Sequence, residues 1–388
     1  MNRLTDTSTS SRLAAWATRI SFFIAGFGTS AWAPLVPFAR DRIGLDDGGL
    51  GLLLLALGTG SLLAMPIAGA LAARFGCRRV MVPASLAMCA ALQALATADS
   101  APMLGAALLL FGAAVGSLDC AANIHAVIVE RCAGRPMMSG FHGLYSVGGI
   151  AGAGGVSGLL LLGATPLLST LLAAGVVLVA LAAVARHFLA AGAQKPQAFF
   201  ALPRGPVLLI GVLCFIVFLT EGAMLDWSAV LLVGAHGVGH STAGLAYASF
   251  SAAMTIGRLC GDRVVTRVGV QSVILYGALC AAGGLILATM ASAWQSAMLG
   301  YFLVGAGCSN IVPVLYTAAG RQTHMPESLA VPAISTLGYA GILAGPALIG
   351  LAARGVGLSS AFLGVAVLLI GVAAAGRLFI SSTNQARD

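Results

Sequence analysis

Long apolar runs separated by short polar breaks fill this 388-residue chain almost from end to end. The hydrocarbon core of a bilayer is about 30 Å thick, and a helix needs about 20 apolar residues to cross it. By that measure the pattern predicts twelve membrane-spanning helices, with ends placed to within a few residues, at 14–38, 48–73, 79–98, 102–130, 138–162, 165–189, 206–234, 241–264, 271–291, 294–319, 328–353 and 358–380. We therefore predict an all-α membrane protein.

Basic residues gather in alternate breaks of this pattern. They occur before the first predicted span and after the second, fourth, sixth, eighth, tenth and twelfth, whereas the other side has only Arg40, Arg42 and Arg354. Short loops rich in Lys and Arg stay in the cytoplasm. We therefore predict an integral protein of a bacterial-type inner (plasma) membrane with both termini in the cytoplasm.

Composition argues against a water-soluble protein. Hydrophobic residues make up 59% of the chain and charged residues 8%, whereas soluble domains carry about 25% charged residues. The net charge of +8 follows from the basic loops, so it does not indicate a nucleic-acid partner. The eight cysteines lie in or beside apolar runs without metal-ligand spacing, so we expect buried thiols and neither a metal nor a cofactor.

The chain contains two related halves. Its longest polar interruption falls at the midpoint and predicts a cytoplasmic linker at 191–205 between six-helix bundles at 1–190 and 206–388. Matched residues recur at an offset that drifts from 195 to 189: Trp32 with Trp227, Arg74-Phe75-Gly76 with Arg267-Val268-Gly269, Asp119 with Asn310, and Gly149-Ile150-Ala151-Gly152 with Gly338-Tyr339-Ala340-Gly341. Internal repeats of this kind are typical of secondary transporters.

The most informative polar residues are Asp119 and Asn123, which lie inside the apolar run 102–130. An ionised Asp at the centre of a membrane helix costs about 2.5–3.5 kcal/mol on insertion scales, so it requires a polar cavity, a partner or a proton. A spacing of four residues places both side chains on one face of the helix. We predict that this face lines a central pathway and that Asp119 exchanges protons. A helix–helix hydrogen bond without a transport role is the alternative.

Polar and aromatic residues also interrupt other predicted spans. Glu221 is a second intramembrane acid, in the other half of the repeat, and is predicted to couple protons. Asp226, nearer the outer end of the same helix, is predicted to make a gate contact. Trp227 either stacks on a sugar-like ring or marks the membrane interface. The other predicted substrate-binding residues are Trp32, Asn123, His142, Tyr145, Asn310 and Tyr339, with proton relay and loop capping as alternatives for His142.

Two loops resemble those of the major facilitator superfamily. From the end of the second span onward the chain reads Gly69-Ala70-Leu71-Ala72-Ala73-Arg74-Phe75-Gly76-Cys77-Arg78-Arg79, similar to the family signature Gly-x-Leu-x-Asp-Arg-x-Gly-Arg-Arg except for Ala73 in place of Asp. At the end of the eighth span it reads Gly257-Arg258-Leu259-Cys260-Gly261-Asp262-Arg263. The resemblance implies a structural and gating role for Arg74, Arg258 and Asp262, and the departure at Ala73 removes the usual acid from the first loop.

Other stretches resemble the rhizopine-transporter-like (MosC/YbjJ-like) branch of that superfamily, which is related to fucose–proton symporters. They are Asp119-Cys120-Ala121-Ala122-Asn123, Glu130-Arg131, Gly140-Phe141-His142-Gly143-Leu144-Tyr145-Ser146, and Glu221-Gly222-Ala223-Met224 with Asp226-Trp227-Ser228. The resemblance covers nearly the whole chain. It implies two pseudo-symmetric bundles, proton coupling or substrate binding by the acid of the fourth span, and a monomer.

Together these features predict a secondary active transporter that works by alternating access and is not an enzyme. The expected partners are a small polar substrate, sugar- or cyclitol-like, together with protons and the lipid bilayer. Efflux of amphipathic, drug-like compounds is the alternative within the same class. A non-transporting membrane sensor is the alternative from another class. An integral-membrane enzyme is disfavoured because the sequence shows no nucleophile–base pair or metal cluster.

Overall fold

The computed structural model describes residues 2–45, 47–189, 202–237 and 244–384. Thirteen α-helices and two short 3-10 turns account for nearly all of this part of the chain. The helices are α1 (Asn2–Ala31), α2 (Val36–Ile43), α3 (Asp47–Phe75), α4 (Arg78–Thr97), α5 (Ala101–Ala133), α6 (Met138–Leu161), α7 (Pro166–Val184), α8 (Pro206–His236), α9 (Leu245–Met290), α10 (Trp294–Cys308), α11 (Ile311–Arg321), α12 (Glu327–Val356) and α13 (Leu358–Asn384).

Within the described ranges, eleven helical segments are long and apolar enough to cross a membrane. One of them, α9, is 46 residues long and contains both the eighth and the ninth predicted spans. The two parts meet at Gly269, whose φ of +81° lies in a region that favours glycine. The predicted all-α fold with twelve spans is confirmed, and the expected loop between the eighth and ninth spans is reduced to this one kinked residue.

Proline accompanies the two spans that are interrupted. The first span passes from α1 through a 3-10 turn at Ala33–Leu35, which contains Pro34, into α2. The tenth span ends α10 at Cys308 and restarts as α11 at Ile311, two residues before Pro313. Proline has no backbone N–H and its ring crowds the carbonyl four residues earlier, so it disturbs the regular helix at these places.

The helices form two compact units. Unit 1 comprises Met1–Arg135, Leu144–Leu202 and Met325–Thr336. Its central helix α5 approaches α3 closely at Gly112, whose carbonyl accepts a 2.8 Å hydrogen bond from the Ser61 hydroxyl. On another side of α5, His125 accepts the Leu189 N–H at Nε2 (3.0 Å), so its proton is on Nδ1, 2.9 Å from the Thr18 hydroxyl. Both ring nitrogens of His125 therefore make hydrogen bonds within unit 1.

Unit 2 comprises Pro136–Gly143, Pro203–His324 and Leu337–Asp388. Its long helix α9 packs against α10, where Gly284 and Gly300 face each other at too short a distance for a side chain on either. The buried Tyr301 hydroxyl of α10 donates to the Ser228 carbonyl of α8 at 3.2 Å. Close approach through small residues is the usual way in which membrane helices pack.

The predicted domain boundaries stay a prediction. Most of the predicted linker 191–205, namely residues 191–201, lies outside the described part of the chain. Unit 2 includes Pro136–Gly143 from the predicted N-terminal bundle, and unit 1 includes Met325–Thr336 from the predicted C-terminal bundle. Each compact unit therefore contains a short helical segment from the other half of the sequence.

Candidate functional site

The polar pair predicted on the fourth span lies together on one face of α5. Asp119 is 8% exposed and Asn123 is 1% exposed. The Asn123 Nδ2 donates to the Asp119 backbone carbonyl at 3.0 Å and to its Oδ2 at 3.3 Å. The Asn123 Oδ1 is buried and has no hydrogen-bond partner among the described residues. An acceptor atom in this position is suited to a polar ligand or water.

Two other predicted substrate residues of unit 1 belong to α1 and α6. Trp32 follows the end of α1 and is 4% exposed, and its indole Nε1 has no hydrogen-bond partner in the described ranges. Tyr145 of α6 is partly buried, and its backbone carbonyl lies against Gly26 of α1, where a side chain would not fit. Among the described residues of unit 1, Trp32 Nε1 is thus a buried donor and Asn123 Oδ1 a buried acceptor without a hydrogen-bond partner.

Unit 2 contains a buried ion pair. Arg258 of α9 places Nη2 at 3.2 Å from Glu221 Oε1 and 3.4 Å from Glu221 Oε2 of α8, and the two side chains are 9% and 14% exposed. The sequence predicts Glu221 as an acid in an otherwise apolar run, and the family resemblance assigns Arg258 to a loop motif at the end of the eighth predicted span. The structure places Arg258 inside a helix and beside that acid. The guanidinium thereby balances a carboxylate that would be costly alone in the membrane.

The break in the tenth span lies next to this ion pair. Arg258 Nε donates to the Ser309 carbonyl at 3.4 Å. Asn310 Nδ2 donates to the Gly257 carbonyl at 3.0 Å and to the Ser309 hydroxyl at 2.9 Å. Asn310 is 8% exposed, and its Oδ1 has no partner within the described residues. Asn310, predicted from the repeat, therefore joins α9 to the broken span.

Three other predicted residues of unit 2 carry rings that lie against neighbouring groups. His142, 9% exposed, lies with its ring centroid 5.7 Å from that of Tyr316. Tyr339 of α12 lies 6.1 Å from the Phe218 ring of α8. Trp227 of α8 is partly buried, and its ring lies beside Gly350.

The predicted gating residues have diverse surroundings. Asp262 Oδ2 accepts the Gly140 N–H at 3.1 Å in the first turn of α6, so it caps that helix. The Arg74 guanidinium lies 5.1 Å above the Phe75 ring. Asp226 is exposed on α8. Asp262 therefore joins α9 to the N-terminus of α6, while Arg258 belongs to the buried pair described above.

One charged contact was missed by the sequence reasoning. Arg131 Nη1 in the last turn of α5 lies 2.8 Å from Glu327 Oε2 at the first residue of α12, and the side chains are 58% and 15% exposed. Each charge is at the helix end that favours its sign. Burial, followed by the negative charge of Glu327, raises the pKa of the Cys77 thiol to about 12. In the sequence, the signal for the Arg131–Glu327 contact was Glu327 itself, an acid that begins an apolar run directly after Pro326.

A polar stripe on α9 was also missed. Tyr247, Ser251, Thr255 and Arg258 recur at spacings of four, four and three residues, which is the period of one helix face. The Thr255 hydroxyl donates to the Ser251 carbonyl at 2.8 Å, and Tyr247 is hydrogen-bonded to Ser251 and close enough to interact with the charges of Glu221 and Arg258. Across the described ranges, no group of three or more His, Cys, Asp and Glu residues is placed to hold a metal ion.

Comparison with known proteins defines the family. An uncharacterized MFS-type transporter of Yersinia pestis (YPO1221/y2967) is 54% identical over 363 residues, covering 93% of this chain and 94% of that protein. The membrane protein MosC of Rhizobium meliloti is 30% identical over 350 residues, covering 90% and 86%. The crystal structure of the E. coli fucose:proton symporter FucP has 16% identity and a TM-score of 0.78, covering 95% and 99%. No family model matches the chain.

The fold shared with FucP is consistent with the sequence identity to the two bacterial relatives. The low identity to FucP supports the fold alone, whereas the identities to the two bacterial relatives extend along most of both chains. The Yersinia relative is named as an MFS-type transporter, and MFS transporters are a class without enzymatic activity. The chain thus belongs to the major facilitator superfamily of membrane transporters, and among its relatives is MosC.

Proposed function

We propose that this protein is a secondary active transporter that moves a small polar solute, sugar- or cyclitol-like, across the inner membrane by alternating access coupled to protons. The observation that carries the proposal is the buried Asp119–Asn123 pair inside a membrane span. An acid retained there is a functional-site hypothesis by default, and a carboxyl group can carry a proton. FucP, which shares this fold, is a fucose:proton symporter, and we assign the same kind of solute and the same coupling ion to this chain as part of the proposal.

Asp119 and Glu221 are the proposed proton-coupling residues. Asp119 is accompanied by an amide donor, Asn123, whereas Glu221 is accompanied by the permanent charge of Arg258. The two acids therefore differ in what protonation changes: a hydrogen bond within one helix at Asp119, and an ion pair between two helices at Glu221. We assign substrate binding to the residues with aromatic faces or amide groups: Trp32, Asn123, His142, Tyr145, Trp227, Asn310 and Tyr339.

The proposed gate uses charges at helix ends. Asp262 at the first turn of α6 and the Arg131–Glu327 pair at the start of α12 are contacts that a moving helix end has to break. Arg74, Asp226 and Arg258 complete the set assigned to gating. Basic residues in alternate loops support cytoplasmic termini, and the protein is proposed to act as a monomer.

Uptake into proteoliposomes with an imposed pH gradient tests the function. A panel of radiolabelled sugars, cyclitols and drug-like cations is offered to wild-type protein, and at least one sugar or cyclitol is expected to accumulate when the inside is alkaline. Asp119→Asn keeps the shape and the hydrogen bonding of the site but cannot release a proton. It is therefore expected to lose the gradient dependence while still exchanging substrate under counterflow.

Asp99→Asn is the matched control, because Asp99 is exposed between α4 and α5. It is expected to leave uptake unchanged. Full gradient-driven uptake by Asp119→Asn would refute the proton-coupling assignment. Accumulation of the drug-like cations in place of the sugars, with reversed gradient dependence, would instead establish efflux of amphipathic compounds.

A further inference from the structure

The tenth span contains a backbone carbonyl group that cannot accept the usual hydrogen bond from the residue four positions later in the chain. In a regular helix the carbonyl of residue 309 accepts the N–H of residue 313, but Pro313 has no N–H. α10 accordingly ends at Cys308 and α11 begins at Ile311. Inside a membrane there is no bulk water to replace the missing donor, so the Ser309 carbonyl needs a partner from another helix.

Arg258 supplies that partner and at the same time binds Glu221. Its Nε donates to the Ser309 carbonyl at 3.4 Å, and its Nη2 lies 3.2 and 3.4 Å from the two carboxylate oxygens of Glu221. The neighbouring Gly257 carbonyl accepts the Asn310 amide at 3.0 Å. One guanidinium group therefore contacts both the acid of α8 and the break between α10 and α11.

The other titratable groups near this pair come from four helices of the described part of the chain. Tyr247 on α9 and Cys308 on α10 are close enough to interact with the charges of both Glu221 and Arg258, and Cys214 on α8 with that of Glu221. His142 on α6 is close to the Arg258 charge. Arg258 is a permanent cation, and Glu221 is a carboxylate within 3.4 Å of it, so protonation of Glu221 removes a negative charge that offsets the guanidinium.

We propose that Arg258 is a positioning residue for proton coupling, which ties the protonation state of Glu221 to the break at Ser309–Asn310. The inference rests on the proposed function. While Glu221 is ionised, the guanidinium is held between its carboxylate and the Ser309 carbonyl. When a proton from the aqueous phase binds one carboxylate oxygen, the ion pair loses its negative partner. The guanidinium, no longer attracted by that carboxylate charge, then moves and leaves the Ser309 carbonyl, which loosens the break between α10 and α11. Release of the proton restores the pair.

Hydrogen–deuterium exchange of the full-length protein in lipid nanodiscs tests this link without a substrate. In the wild type, amides of residues 309–317 are expected to exchange slowly at alkaline pH and faster at acidic pH, after correction for the intrinsic pH dependence of exchange. Glu221→Gln imitates the protonated acid. It should raise exchange in this segment about tenfold at alkaline pH, because a hydrogen bond to a charged group is lost.

Pro313→Ala provides the decisive second variant. It introduces an N–H that can donate to the Ser309 carbonyl within the helix, so Arg258 is no longer needed there. Exchange in residues 309–317 should then be slow at every pH, both in Pro313→Ala and in the double variant with Glu221→Gln. The repeat-related segment 118–126 of α5 serves as the internal control and should not respond to either change.

Equal exchange in wild type and Glu221→Gln, or slower exchange in the variant, would overturn the inference. So would a Pro313→Ala protein that keeps the pH response of the segment. A transporter that accumulates substrate with a pH gradient but lacks the response would refute this link and leave the proposed function standing. The response without any transport would refute the proposed function instead.

Discussion

The fourth and tenth membrane spans occupy related positions in the repeat, yet they carry their polar residues on different backbones. α5 runs without a break from Ala101 to Ala133 and carries an acid, Asp119. The tenth span has Asn310 at the corresponding position and is broken there into α10 and α11. The offset that aligns Asp119 with Asn310 also aligns Ala122 with Pro313. Pro313 is thus the sequence difference that coincides with the break in the tenth span.

The comparison shows two ways of keeping polar groups inside a membrane. In α5, Asn123 donates to Asp119 from the same helix, so this contact depends on one element. In the tenth span, the Ser309 carbonyl depends on Arg258 from another helix, and Arg258 is balanced by Glu221 from a third. A network of this kind is sensitive to each of its members, because removal of one leaves the others unsatisfied.

Moving the acid from the fourth span to the tenth is expected to have the largest effect. The double variant Asp119→Asn/Asn310→Asp should take up solute under a pH gradient no faster than empty liposomes. The amide of Asn310 donates to the Gly257 carbonyl and the Ser309 hydroxyl, and an acid cannot replace it as a donor when ionised. Recovery of gradient-driven uptake relative to Asp119→Asn alone would show that the two positions are equivalent.

Removing Arg258 tests how strongly Glu221 and the Ser309 carbonyl depend on its guanidinium group. Arg258→Met leaves the Glu221 carboxylate buried without its cation and the Ser309 carbonyl without its donor. It should lower the free energy of unfolding by about 3–5 kcal/mol, measured by SDS titration in mixed micelles.

The double variant Glu221→Leu/Arg258→Met is the matched control for this loss. It removes both charges together, so it should recover most of the free energy of unfolding. A loss below about 1 kcal/mol in Arg258→Met alone would mean that the ion pair contributes no more than an exposed one.

A proline exchange tests the backbone difference directly. Ala122→Pro removes a hydrogen bond in the interior of the unbroken α5 and should lower the free energy of unfolding by about 3 kcal/mol or more. Pro313→Ala should change it by no more than about 1 kcal/mol, because the Ser309 carbonyl exchanges one donor for another. The same SDS titration compares them, and equal losses would contradict the proposed difference between the two spans.

The smallest expected effect concerns the cap of α6. Asp262→Ala removes the acceptor of the Gly140 N–H and a negative charge from a helix N-terminus, which should lower the free energy of unfolding by about 1 kcal/mol. Asp41→Ala is the control, since that side chain is 68% exposed, and it should stay within about 0.5 kcal/mol of wild type. Indistinguishable variants would exclude a capping role for Asp262.

Much of the molecule could be predicted because lipid imposes strict demands on sequence. The apolar runs gave the twelve spans, and the four-residue spacing of Asp119 and Asn123 placed them on one helix face, where their side chains meet. Arg258 could not be placed in the same way. Its sequence neighbours resemble a loop motif, and only the packing of α8 against α9 brings it to Glu221.

The sequence by itself determined the fold class, the number of spans and the polar residues that the membrane makes costly, because hydrophobicity and helical period act locally along the chain. The tertiary structure decided the partners: Glu221 with Arg258, Arg131 with Glu327, and Asp262 with the start of α6. These pairs join residues far apart in the chain, so their distances depend on how helices pack and not on the residues between them.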